Sequence, residues 1–265
     1  MTDHAIYMQE ALGLAAQALF LSNPNPRVGC VLVDAQGHVI GRGFTQQAGG
    51  PHAEVMALRD AAAQGHSTQG ATAYVTLEPC AHHGRTGPCC EALIAAGVAQ
   101  VVGALTDPNP QVAGQGFARL QAAGVAVEVG PGAAASRALN IGFFSRMERG
   151  RPWVRLKAAT SLDGATALGN GASQWITSPE SRADVQRWRA RSCAVLTGIG
   201  TVLADDPRLT VRDFPVERQP LRIVVDSQGR LPLDALLVRT AQEIPTLVAV
   251  GPQASAERTG ALREA

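Results

Sequence analysis

Apolar residues fall into two rhythms along the chain, and the rhythms alternate. Met8, Leu12, Ala15, Ala16 and Leu19 recur at helical spacing and predict an opening amphipathic helix, which Asn23-Pro24-Asn25-Pro26 stops. Val28 to Val33 is a continuous apolar run of strand length. Ala35-Gln36-Gly37 reads as its turn and Val39 to Phe44 as a hairpin partner. After Ala48-Gly49-Gly50 a helix is expected from near Pro51 through Ala63, because proline fits a first turn whose N–H groups have no intrahelical acceptor. Ala73 to Leu77 predicts a strand, Cys89 to Ala96 a short helix closed by Gly97, and Val98 to Leu105 another strand. A helix around Phe117 to Ala123 and a strand over Val125 to Val129 complete an α/β series that ends near Gly142 to Phe144.

Ser145 to Pro152 is polar, charged and bounded by Gly-Arg-Pro, and is the segment expected to link two domains. Beyond it strands are predicted at Trp153 to Ala159, Ala194 to Thr197, Leu221 to Asp226 and Thr246 to Val250. A helix starts at Ser178-Pro179-Glu180, with serine as N-cap, proline at the first position and an acid near the positive end of the dipole. The second series reads as incomplete at its C-terminal side. No internal repeat or low-complexity tract interrupts either series.

At 265 residues the chain exceeds one domain of about 150 residues, which agrees with two. Hydrophobic residues make up 46% and aromatic ones only 4%, so the cores must be closed by small aliphatic side chains, as suits α/β layers. A formal charge of +1 gives no field that would recruit a polyanion, and the expectation is a small-molecule partner and no nucleic acid. No apolar run is long enough to cross a bilayer and no basic, apolar leader precedes Asp3 and Glu10, so no membrane partner is expected. Five cysteines, an odd number, without a secretory signal point to the cytoplasm and to metal or catalytic roles before disulfides. A homo-oligomer is left open.

The cysteines gain meaning from their neighbours. His52-Ala53-Glu54 opens one predicted helix; Pro79-Cys80 follows a strand, and Cys89 opens a second helix. Imidazole and thiolate together suit a borderline-soft ion such as zinc, and three protein ligands leave a tetrahedral position for water, whose acidity the ion raises. Glu54, two residues from a ligand, is placed to shuttle protons. His-x-Glu followed by Pro-Cys is the pattern of zinc nucleobase deaminases, in which the glutamate is not a ligand. Eight residues separate Cys80 from the next cysteine, where two are usual. Either Cys89 or Cys90 could be the third ligand; Cys89 is expected to bind and Cys90 to be buried packing.

The residues between these ligands narrow the field. Ala81-His82-His83-Gly84-Arg85-Thr86-Gly87-Pro88, with Asn25-Pro26-Arg27-Val28-Gly29 and Thr76-Leu77-Glu78-Pro79-Cys80, closely resembles the bifunctional deaminase–reductases of riboflavin biosynthesis, the RibD family. The resemblance continues through Lys157 to Gly164, Ser173 to Ser178 and Thr201 to Pro207, in the family's order and over nearly the whole chain. It implies an N-terminal three-layer domain of cytidine-deaminase type over residues 1–146 and a dihydrofolate-reductase-like α/β domain over residues 151–265, the latter incomplete as given. It also implies zinc-dependent deamination of 2,5-diamino-6-(5-phosphoribosylamino)pyrimidin-4(3H)-one, then NADPH-dependent reduction of the ribosyl chain to ribityl.

Matched residue by residue, the resemblance implies His52, Cys80 and Cys89 as zinc ligands and Glu54 as the proton shuttle. Asn25, His82 and Arg85 would hold the deaminase substrate; the asparagine amide can both donate and accept at a pyrimidine edge, and the arginine can grip a phosphate. Thr45 stands where family members often carry histidine. In the second domain Ala159, Trp175, Thr201, Asp205 and Ser227 match NADP-contacting positions, and Ser173, Arg189, Leu209 and Arg212 match substrate-contacting ones. Without the resemblance these positions say little: Gly198-Ile199-Gly200 lacks the third glycine of a dinucleotide fingerprint. Two other readings use the same zinc motif, a nucleic-acid base deaminase and a zinc-stabilised binding protein without turnover.

Overall fold

A computed structural model describes residues 4–83 and 87–265, in two compact units, residues 1–155 and 156–265. In the first, helix α1 (His4–Gln17) precedes the hairpin of β1 (Gly29–Val33) and β2 (Val39–Phe44). Then come α2 (Ala53–Ala63), β3 (Thr72–Val75), α3 (Cys89–Ala95), β4 (Gln100–Gly103), α4 (Gln115–Ala122) and β5 (Ala126–Val129), followed by α5 (Ala133–Leu139) and α6 (Ile141–Arg149). The strands lie in the order β2-β1-β3-β4-β5, with β1 antiparallel to both neighbours and β3, β4 and β5 parallel.

Side-chain alternation divides the sheet's two faces. Cys30, Leu32, Ala73, Val75 and Val101 pack with Ala53, Ala57, Cys90 and Leu93 of α2 and α3. Val31, Val33, Tyr74 and Val102 pack with Met8 and Ala11 of α1. Since successive side chains of a strand point to opposite sides, a strand buried on both faces must be apolar throughout, as β1 is. The result is a three-layer α/β/α sandwich with β1 and β3 at its centre.

Two glycines on β2 set the approach of α2. A Cβ at Gly43 would lie 2.2 Å from the Ala53 carbonyl oxygen, and one at Gly41 would lie 2.4 Å from that of Ala57. Only glycine lets the helix backbone rest directly on the strand, and this contact places His52 and Glu54, at the start of α2, over the sheet.

Ser145 to Pro152, expected as a linker, is helix as far as Arg149. The segment is amphipathic: Phe144 and Ser145 are buried, whereas Arg137 of α5 pairs with Glu148 on the outer side. Its charged residues are the solvated face of a helix, and composition alone could not separate the two cases.

The second unit contains α7 (Pro179–Ala190), β6 (Ala194–Gly198), α8 (Ile199–Asp205), β7 (Leu221–Val225), α9 (Leu236–Arg239), β8 (Thr246–Ala249) and α10 (Ala256–Glu264). Its strands form a parallel sheet in the order β6-β7-β8. Ser178 caps α7 as expected, accepting a hydrogen bond from the Ser181 N–H. Fully buried Arg222 of β7 donates to the carbonyls of Leu237, Thr240 and Ile244 and to the Thr240 hydroxyl, satisfying acceptors that the end of short helix α9 leaves open.

The strand expected at Trp153 to Ala159 does not form. Its residues carry no ladder partner, and Val154 and Leu156 stand 80% and 90% exposed. An extended segment becomes a strand only when a neighbour takes its backbone groups, and no edge of β6-β7-β8 does so.

Candidate metal centre and active-site cavity

Three elements deliver three donors to one point. His52 is the N-cap residue of α2, Cys80 follows the end of β3, and Cys89 is the first residue of α3. His52 Nδ1 lies 3.5 Å from Cys80 Sγ and 3.3 Å from Cys89 Sγ, and the three donor atoms lie within 4.8 Å of one another. Zinc–nitrogen and zinc–sulfur bonds of about 2.0 and 2.3 Å at a tetrahedral angle put nitrogen and sulfur about 3.5 Å apart. The donor set therefore fits a zinc ion in chemistry and in spacing. Cys90, the alternative third ligand, turns away into the core against Leu93 and Phe117.

Protonation agrees with a cation at this point. A hydrogen bond from the Cys89 thiol, with help from His52 and the Cys89 N–H, pulls Cys80 well below the usual thiol range. Cys89 is pushed up, first by holding its proton toward Cys80 and then by burial and nearby Glu54. The two sulfurs thus share one proton, and a divalent ion in its place would hold both as thiolates. His52 is raised by its contact with Cys80.

Glu54 is buried in the first turn of α2 and makes no ion pair among the described residues. Burial, and secondarily the Cys80 charge, push its carboxyl up to about 7, with His52 opposing. A carboxyl poised near neutrality can both take and return a proton.

Behind the ligands Glu78 fixes the chain. Its buried carboxylate accepts hydrogen bonds from the backbone N–H groups of Asp107, Gly114, Gly116 and Phe117. The Cys90 N–H donates to the Cys80 carbonyl, tying α3 to the same segment. Strand end, loop and two helices are thus braced around Cys80.

His52 and Cys80 open into a cavity of about 420 Å3, lined among others by Asn25, Thr45, Glu54, His82, Asp107, Asn109, Phe143 and Arg146. Asn25 and His82, both expected from the sequence, share it with His52 and Cys80. His82 Nδ1 is buried and has no hydrogen-bond partner among the described residues, as suits a group waiting for a ligand. Thr45 also lines the cavity, but its hydroxyl is engaged with the backbone of Val28. Arg85 lies outside the described residues. Sequence reasoning did not select Asp107 and Asn109; Asp107-Pro108-Asn109-Pro110 after a strand reads simply as a turn, and only the fold brings it to the cavity. Burial pushes Asp107 up to about 6.

In the second unit Arg189, Leu209 and Arg212 come together. Arg189 donates to the Thr210 carbonyl, the Arg212 N–H reaches Gln186, and burial with the Arg212 charge lowers Arg189. Leu209 has a left-handed backbone, φ +55°. Thr201 and Asp205 lie on α8 and Ser227 follows β7, all exposed. Ala159, Ser173 and Trp175 belong to the irregular stretch before α7, where the Trp175 ring lies under Arg182 at 4.3 Å.

Known proteins divide along the same lines. Residues 1–105 match the family model of the cytidine and deoxycytidylate deaminase zinc-binding region, and residues 152–263 match that of the RibD C-terminal domain. The riboflavin biosynthesis protein RibD of Escherichia coli is 55% identical over 237 residues, covering 85% of this chain and 64% of that protein. The RibD of Aquifex aeolicus is 47% identical, covering 91% of this chain and 67% of its own. Among solved structures, Acinetobacter baumannii RibD superposes with a TM-score of 0.88 at 48% identity, over 97% of this chain and 72% of that one. A Thermotoga maritima protein described as diaminohydroxyphosphoribosylaminopyrimidine deaminase/5-amino-6-(5-phosphoribosylamino)uracil reductase superposes at 0.87, with 35% identity, over 98% and 77%. The chain spans about 64% of the length of its Escherichia coli relative. With matches of this identity across both units, the chain belongs to the RibD family.

Proposed function

We propose that residues 1–146 form a zinc-dependent deaminase acting on 2,5-diamino-6-(5-phosphoribosylamino)pyrimidin-4(3H)-one in riboflavin biosynthesis. The observation that carries this reading is the His52, Cys80 and Cys89 triangle, with His52, Cys80 and buried Glu54 lining an open cavity. Zinc, when bound, supplies Lewis acidity that makes a water acidic near neutral pH. Asn25 and His82 orient the pyrimidine, with Arg85 assigned to the phosphate. Glu54 takes a proton from the attacking water and delivers it to the departing 2-amino nitrogen. The oxygen–C2 bond forms, the C2–N bond breaks, and ammonia and the uracil product leave.

Residues 151–265 carry the NADPH-dependent reductase portion, which opens the ribosyl group of 5-amino-6-(5-phosphoribosylamino)uracil to ribityl. Ala159, Trp175, Thr201, Asp205 and Ser227 are assigned to the cofactor and Ser173, Arg189, Leu209 and Arg212 to the substrate. The paired arginines suit a phosphate. Small molecules rather than nucleic acid are the partners. No helix among the described residues is long and apolar enough to cross a membrane. Clustered thiols that must stay reduced favour the cytoplasm.

Ammonia release from the diaminopyrimidine, measured with the metal content of the same sample, tests the first step. Glu54→Gln should lower the rate by about 10²-fold or more while zinc content stays the same, since the glutamate is not a ligand. Turnover that survives this substitution, or zinc that departs with it, would overturn the assignment.

A further inference from the structure

Three carboxyl groups, those of Glu54, Glu78 and Asp107, line the cavity together with Cys80. Among the described residues one guanidinium joins them, that of Arg146 on α6. Its position is fixed from behind. Fully buried Asn140, just before α6, accepts a hydrogen bond from the Arg27 N–H at 2.7 Å and donates to the Arg27 carbonyl at 2.9 Å. These two bonds clamp the start of α6 to the loop that carries Asn25. Phe144 is buried on the core side of the helix, and Phe143, Arg146 and Met147, spaced i, i+3 and i+4, form one wall of the cavity. The Arg146 guanidinium lies over the Phe143 ring, 5.9 Å from its centre.

Arg146 also differs from its neighbour. Arg137 is taken up by Glu148, whereas Arg146 makes no ion pair among the described residues. A guanidinium without an acid partner, in a lining that otherwise carries carboxyl groups, makes the α6 wall of the cavity positive. Among the described residues that wall is where a dianion meets an opposite charge. Resting on the deaminase reading above, we propose that Arg146 binds the 5-phosphate of the substrate. It thereby selects the phosphorylated pyrimidine over its dephosphorylated counterpart. The planar fork can hold two phosphate oxygens at once, while the Phe143 ring fixes its plane.

The test compares the parent protein with Arg146→Ala and Arg146→Lys on the phosphorylated diaminopyrimidine and on the same compound after phosphatase treatment. Arg146→Ala should raise KM for the phosphorylated compound roughly tenfold or more, with kcat changed by no more than about twofold. Arg146→Lys should recover part of the loss, and the dephosphorylated compound should respond to neither substitution. Calorimetric binding of the phosphorylated diaminopyrimidine to the inactive Glu54→Gln protein should weaken in parallel when Arg146→Ala is added, and it reports on Arg146 independently of turnover. An unchanged KM in Arg146→Ala with unchanged binding in the Glu54→Gln background, or equal losses on both compounds, would overturn the proposal. A parent protein that binds the phosphorylated diaminopyrimidine through Arg146 yet releases no ammonia would instead remove the deaminase reading.

Discussion

Asp107 shows how much a single buried group can report. Its side chain is 8% exposed, accepts from the Asn109 N–H and sits in the cavity, and burial raises its pKa to about 6 from a usual value near 4. The folded protein therefore holds this proton more tightly than the unfolded chain does. Stability from this group is highest below about pH 4, falls as pH rises toward 6 and stays low above it. Asp107→Asn, whose amide oxygen can still accept from Asn109, should match the parent below pH 4. Above pH 6 it should exceed the parent by about 1–3 kcal/mol, as urea unfolding across pH would record. Equal stabilities at both ends would mean that the carboxylate is solvated in the folded state.

Among the elements, the junction of β3, α3 and α4 governs the metal site. A Cβ at Gly116, in the first turn of α4, would lie 1.9 Å from the Pro79 carbonyl oxygen, one residue before the Cys80 ligand. The obstacle is backbone and cannot rotate away, so Gly116→Ala must displace α4 or the Cys80 segment. The expected outcome is a loss of about 2 kcal/mol in thermal or urea unfolding, with weaker zinc retention against a chelator. Gly142→Ala in α6 is the matched control. A Cβ there meets nothing within 4 Å, and the change should be neutral or slightly stabilising. If both variants behave alike, close approach at Gly116 is not what holds the ligand segment in place.

Over the whole molecule, metal and fold are linked in one unit. The ligands come from two helix starts and a strand end, so an ion that binds only the folded arrangement stabilises it by mass action, about 4 kcal/mol at a thousandfold excess over Kd. Removing zinc with a chelator should raise amide hydrogen exchange in β1, β3, α2 and α3. It should leave β6, β7 and β8 unchanged, because their sheet contributes no ligand. Equal protection in the presence and absence of metal would argue that the three donors are held by packing alone.

Local pattern was enough for much of this. The double-faced apolar run of β1, the hairpin to β2, the cap of α7 and the order of helices and strands follow from side-chain period and turn chemistry, which act between near neighbours in the chain. His52, Glu54 and Cys80 could be singled out because ligand chemistry restricts residue type. Cys89 was already the expected ligand of the Cys89-Cys90 pair; the structure adds the physical ground, grouping Cys89 with His52 and Cys80 and packing Cys90 in the core behind the helix start. The fate of Trp153 to Ala159 rested on whether a neighbouring strand pairs with it, and that of Ser145 to Arg149 on which face of a helix meets the core. Asp107, Asn109 and Arg146 lie 55 to 94 residues from His52 in sequence and share its cavity only through folding. Sequence determined what each segment could form and which atoms could bind a metal; which distant segments met, and therefore what the cavity could recognise, was decided by packing, because the contacts responsible are long-range.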